Sequence, residues 1–140
     1  MRRLAQELDV WPMSIYRYFH DKDELLSALA DTVAEDINPP PPTDPWREQM
    51  KGLMRQVKAL LERHPGSLGP QRNGPAAARV QSVGVTILER AGTTGDETER
   101  AWRAVLVYTA GAASLRSAAD EFDYGLERLL EGIEAKSPIR

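Results

Sequence analysis

Apolar residues recur through this chain at intervals of three and four, the spacing that brings side chains onto one face of a helix. Near the start, Leu4, Ala5 and Leu8 share a face, Asp9 breaks the pattern, and Val10 closes a hydrophobic corner. A second short helix opens at Pro12, whose preset φ and missing N–H suit a first helical position. In it Ile15 and Phe19 point back at Leu4 and Leu8, and the other face carries Met13, Ser14, Arg17 and Tyr18. A third helix over residues 22–36 places Leu25, Leu26, Leu29, Ala30 and Val33 on one side, with a D-x-x-E arrangement, Asp21 and Glu24, capping its start.

Residues 38–45, N-P-P-P-P-T-D-P, cannot be helical and predict a stiff extended linker. They divide a head, residues 1–37, from a helical domain, residues 46–140. Asp44 is expected to cap the next helix, with Pro45 at its first position. Trp46, Met50, Leu53, Met54, Val57, Leu60 and Leu61 then trace one apolar face up to His64-Pro65. Residues 66–74 read as a loop. Pro75 opens a helix with Val80, Val83, Ile87, Leu88 and Ala91 inward, and Gly92 ends it. Thr94 and Glu97 form a T-x-x-E capping box for a long helix over about residues 96–119. Its apolar residues, Trp102, Val105, Leu106, Tyr108, Ala112, Ala113 and Leu115 among them, cover more than one face, so it must bury two. Gly111, Ala112 and Ala113 would let a partner helix come close. A last helix over residues 122–135 sets Leu126, Leu129, Leu130 and Ile133 at i, i+3, i+4 and i+7. The whole predicts an all-α chain, a helix-turn-helix head followed by a helical domain.

Three motifs in the head carry a resemblance: L-A-x-x-L-x-V from Leu4, P-M-S-I-Y-R-Y-F from Pro12, and D-K-D-E-L-L from Asp21. Together they resemble the helix-turn-helix of the TetR family of bacterial transcriptional repressors. The resemblance implies that Pro12, Met13 and Ser14 meet base edges in the major groove, with Arg17 reaching a base or phosphate. Tyr16 and Tyr18 would donate hydroxyls to phosphates, and Lys22 would lie at the phosphate backbone. A recognition helix needs short side chains at its N-terminal end, while phosphate contacts set its register. Arg2 and Arg3 add charge to the same DNA-binding set. Trp11 departs from the family pattern, which has a small capping residue there; it either stacks on a sugar or packs on the neighbouring helix. Family members carry a further helix ahead of Arg2, whereas this chain starts at Met1, inside the motif. A start further upstream is the expectation; a truncated, dimerising relative that pairs with a full-length regulator and does not itself bind DNA is the alternative.

For the C-terminal domain the resemblance implies a small-molecule effector and a homodimer in which two helices from each subunit form a four-helix bundle. Candidate effector contacts are Met50, Met54, Trp102 and Tyr108, with His64, Arg72 and Gln81 as polar anchors. Met and Trp at helical spacing also suit a plain core. Candidate dimer residues are Val105, Ala112, Leu115, Leu126, Leu129, Leu130 and Ile133. Only residues 117–121 separate the last two helices, a shorter connection than in many relatives.

Composition narrows the chemistry. The 140 residues are 41% hydrophobic and 28% charged, ordinary for a globular domain. No run approaches the roughly 18 apolar residues of a membrane span, and no signal peptide is present, which fits a cytoplasmic protein without a membrane partner. The absence of cysteine excludes disulfides and thiolate metal sites. No H-E-x-x-H motif, cysteine nucleophile or phosphate-binding glycine loop suggests catalysis, a metal or a cofactor. The net charge is -3, and residues 1–22 hold four basic side chains (Arg2, Arg3, Arg17, Lys22) against three acidic (Glu7, Asp9, Asp21). Affinity for operator DNA must therefore come from gathering the basic groups on one face.

Overall fold

A computed structural model of the chain describes residues 35–64 and 75–136. Residues 1–34 of the head, the predicted loop over residues 66–74 and the last four residues lie outside the described residues, and so do all the DNA-contact candidates from Arg2 to Lys22.

Four helices make up the described part: α1 (Trp46–Arg63), α2 (Pro75–Arg90), α3 (Gly95–Ser114) and α4 (Ala119–Lys136). Among the described residues there is no strand, as the helical periodicity requires. Helix α1 packs against each of the other three, and α3 packs against α2 and α4. The reason is the stripe on α1, where Met50, Leu53, Met54, Val57, Leu60 and Leu61 are all buried. They meet Ile87 and Leu88 of α2, Ala101, Trp102 and Val105 of α3, and Phe122, Leu126 and Leu130 of α4. Each fully buried Leu, Ile, Met or Phe contributes roughly 1.5–3 kcal/mol relative to staying exposed. Ile37, read from sequence as the end of the head, belongs to this core.

The helix ends differ from the sequence reading. Pro45 is the N-cap of α1, so Asp44 stands one residue too early to reach the free N–H groups and caps nothing. Its carbonyl instead accepts Gln49 Nε2 at 2.6 Å. Residues 41–44 fold into a turn closed by Asp44 N–H donating to Pro41 C=O at 3.2 Å, with Pro42 at a favoured turn position. The linker is therefore not extended throughout. Thr94 is the N-cap of α3, but its hydroxyl bonds no backbone N–H, so the capping box is not made. The chain enters α3 through Gly95 at φ 52. The threonines on either side tie the corner instead: Thr98 donates to Thr93 at 2.8 Å, and Thr93 donates to Leu88 C=O at 2.9 Å, all buried.

Gly92 ends α2 as expected. At φ 104 it donates to Glu89 C=O at 3.0 Å, while Thr93 N–H reaches Leu88 C=O at 3.2 Å, the paired bonds of a Schellman closure. The same closure ends α3 five residues before the predicted Ala119, with a non-glycine at its left-handed position. Arg116 sits at φ 51 and donates to Ala113 C=O, and Ser117 donates to Ala112 C=O at 2.9 Å. A left-handed L-residue costs about 1 kcal/mol. Arg116→Gly is accordingly expected to raise unfolding stability by about 1 kcal/mol in urea titrations. A fall would show that the Arg116 contact with Glu62 C=O, 3.4 Å, outweighs the strain.

Candidate functional site

The effector candidates fall into two groups. Met50 and Met54 have no exposed surface and Trp102 is 7% exposed, so the structure places all three as core side chains. Tyr108 is half-buried. Its ring stacks on Phe122 with centroids 5.4 Å apart, and its hydroxyl donates to Phe122 C=O at 2.9 Å. Burial pushes its phenol pKa up, and the Asp123 charge adds to that. His64 and Gln81 are exposed on separate helices, and Arg72 lies outside the described residues. His64 and Gln81 thus lie on exposed surface, apart from the buried Met50 and Trp102.

One open space that the sequence reading missed lies between α1 and α4. It is a groove of about 250 Å³ lined by Arg55, Lys58, Ala59, Glu62, Ala119, Phe122 and Asp123. Its charges are matched. Arg55 grips Asp123 with two bonds of 3.0 Å, Lys58 pairs with Glu62, and the Lys58 ammonium lies 5.5 Å from the Phe122 ring centre. The groove is a seam closed by ion pairs.

A denser cluster joins the same helices one turn further on. Glu127 of α4 faces both Arg47, at 3.0 Å, and Lys51, and Arg47 also pairs with Glu134. The bond from Lys51 holds the Glu127 carboxyl below the usual carboxylate range, against the opposing effect of burial, with Arg47 adding to it. The bond to Glu127 likewise raises Lys51. A lowered carboxyl pKa contributes stability above the unfolded-state value that is lost as pH falls through the folded value. A raised lysine contributes stability below its unfolded value that is lost above it. The joint contribution is therefore full between about pH 5 and pH 10. Glu127→Gln is expected to lower stability at pH 7 by about 2 kcal/mol and to flatten the loss between about pH 5 and pH 3. Equal acid slopes for wild type and variant, by urea denaturation across that range, would refute the assignment.

The outward faces of α3 and α4 carry the exposed apolar surface. Val107 is 64% exposed, Leu115 84% and Tyr124 67%, values far above those of the core. On α3, Ala104, Val107, Gly111 and Leu115 fall on one stripe, with small residues alternating with large. On α4, Tyr124 lies under the Arg128 guanidinium, 5.2 Å from the ring centre, beside exposed Gly132 and half-buried Leu129. The candidate dimer-face residues divide by burial. Val105, Leu126 and Leu130 are fully buried, and Ala112 and Ile133 nearly so, because they fill the protomer's own core. Leu115 and Leu129 keep exposed surface. Val107 and Ala104 are residues the sequence reading passed over, while Gly111 was expected to admit a partner helix. The A-x-x-V-x-x-x-G-x-x-x-L spacing was the available signal.

With this geometry in place, comparison with known proteins is informative. The HTH-type transcriptional repressor DrrR1 of Streptomyces coeruleorubidus is 33% identical over 119 residues, covering 81% of this chain and 44% of the relative. The structure of BioQ with its double-stranded DNA operator superimposes with a TM-score of 0.81 at 28% identity, over 96% of this chain and 84% of BioQ. The TetR family protein ActR of Streptomyces coelicolor, in complex with actinorhodin, gives a TM-score of 0.81 at 21% identity, over 99% of this chain and 88% of ActR. Its sequence relatives are TetR-family repressors, and its structural neighbours are TetR-family regulators. The described residues form four helices that match the helical domain of TetR-family folds. No family model matches the chain. The chain spans about half the length of the curated relatives it matches. Those relatives are transcriptional repressors and regulators. Among the described residues, no helix is long and apolar enough to cross a membrane.

Proposed function

We propose that this chain is a DNA-binding transcriptional regulator that grips operator DNA as a homodimer through the outward faces of α3 and α4. The observation that carries the reading is the Val107, Gly111, Leu115 and Tyr124 surface: apolar side chains this exposed on the last two helices fit a second copy of the same face. Paired heads then read two half-sites, as the palindromic logic of helix-turn-helix dimers requires. Within each head, Pro12, Met13 and Ser14 read base edges with Arg17, while Tyr16, Tyr18 and Lys22 bond phosphates; Arg2, Arg3 and Trp11 complete the contact. BioQ, seen with its DNA operator, supports this assignment. Release by a small-molecule effector completes the reading, supported by the shared fold of ActR, which is in complex with actinorhodin. Action on DNA places the protein in the cytoplasm.

The test is fluorescence anisotropy on duplex DNA from the chain's own upstream region beside a scrambled duplex, at two salt concentrations, with light scattering for mass. Specific, salt-sensitive binding by a dimer is expected. Lys22→Ala should weaken binding to every sequence and reduce the salt slope by about 1, and Tyr16→Phe should weaken it uniformly. Ser14→Ala should change base preference at one position. Uniform losses for all three variants would contradict the assigned roles.

A further inference from the structure

The segment that joins the helical domain to the head is held by two helices at once. Ile37 is buried and sits between Leu53 of α1 and Val80 of α2. Beside it, Gln56 of α1 bonds both backbone groups of Asn38: its Oε1 accepts the Asn38 N–H at 2.8 Å, and its Nε2 donates to the Asn38 C=O at 2.7 Å. From α2, Arg79 Nη2 donates to the carbonyls of Glu35 and Ile37 at 3.4 and 3.5 Å. Side chains thus satisfy backbone groups that a strand partner would otherwise meet. A proline run follows, so these bonds and the Ile37 side chain are what hold the path at residues 35–38.

We propose that Gln56 and Arg79 form a clamp that fixes the direction in which the head leaves the domain, and that this direction depends on the spacing of α1 and α2. The positioning half rests on the regulator reading above; the clamp itself does not. Hydrogen bonds weaken steeply with length and angle, so a small separation of the two helices strains the Arg79 bonds and unseats Ile37 together. The clamp converts a change between two helices into a change in the chain's exit path. In a dimer, that path sets the distance between the heads.

The test uses the full chain with Gln56→Ala, Arg79→Ala and Gln56→Glu. Hydrogen exchange at the Asn38 amide is expected to accelerate about tenfold in Gln56→Ala, as for loss of one hydrogen bond, with amides in the middle of α1 unchanged. Gln56→Glu should give a rate between wild type and Gln56→Ala, because a carboxylate still accepts the Asn38 N–H but cannot donate to the Asn38 C=O. Anisotropy on a palindromic duplex from the upstream region and on a duplex carrying one half-site gives the second readout. Gln56→Ala and Arg79→Ala are expected to lose about tenfold or more on the paired site and less than about twofold on the single one. Unchanged exchange at Asn38 in Gln56→Ala would overturn the clamp. Equal losses on both duplexes would overturn the positioning role. Wild-type chain that binds neither duplex would overturn the regulator reading, and the exchange rates would still decide the clamp.

Discussion

Gly84→Ala is expected to destabilise the helical domain by about 3 kcal/mol, at the upper end of what overpacking a core usually costs. A single methyl group on an α2 residue would ordinarily favour a helix by about 1 kcal/mol, since alanine is the better helix former. Here the sign reverses because of what faces the glycine. A Cβ at residue 84 would stand 2.5 Å from Cε3 and 2.7 Å from Cη2 of Trp102, and closer still to Cζ3. Trp102 is buried, and a rigid indole cannot yield as a flexible side-chain tip would. Either α2 moves off α3 or the indole leaves its position, and both open the contact between those helices. Trp102→Phe should therefore recover part of the loss when combined with Gly84→Ala, although alone it leaves a void. The double-mutant cycle by urea denaturation reads the coupling directly. Additive effects of the two changes, or a Gly84→Ala loss under about 0.5 kcal/mol, would show that the domain repacks freely at this crossing.

That pair also shows where sequence reading stops. The stripe on α1 was legible because its seven predicted positions repeat at three and four, and only Trp46 is not buried. Gly84 lies among good helix-face residues with no neighbour in sequence that hints at an indole from another helix. Gly125 is the same case, since a Cβ there would overlap the Tyr108 ring. The break after α3 was hidden for a different reason. Ala110 to Ala119 contains no proline, and Arg116 gives no sign of a left-handed turn; only the backbone bonds that close around it reveal the stop. On α3 the two apolar faces were recognised, and burial separates them, Val105 inward and Val107 outward. Hydrophobic periodicity places Val105 and Val107 on different faces without saying which face the domain's own core takes. The ion pairs from Arg47, Lys51 and Arg55 to α4 join residues more than sixty positions apart, and no local spacing encodes them. The DNA-reading residues were legible as motif alone and rest on the proposed function.

Val107→Glu is expected to convert the protein to monomers and to lower its affinity for a paired site by about a hundredfold, the order of gain that linking two binding modules supplies. The argument turns on exposure. Val107 is 64% exposed in the protomer, so the variant should unfold within about 0.5 kcal/mol of wild type, as surface substitutions usually do. In a two-fold dimer each change occurs twice, and the isologous face brings the two carboxylates towards each other while stripping water from both. Gly111, one turn away on the same stripe, lets the helices come close enough for that repulsion to be felt. Val105→Glu is the matching control: two residues away but fully buried, it should unfold the domain rather than dissociate it. Light scattering separates mass, urea denaturation separates stability, and anisotropy on paired and single half-sites separates avidity from reading. A Val107→Glu protein that stays dimeric with unchanged paired-site affinity would move the interface off α3. Tyr124 and Leu129 of α4 would then be the surface left to carry it.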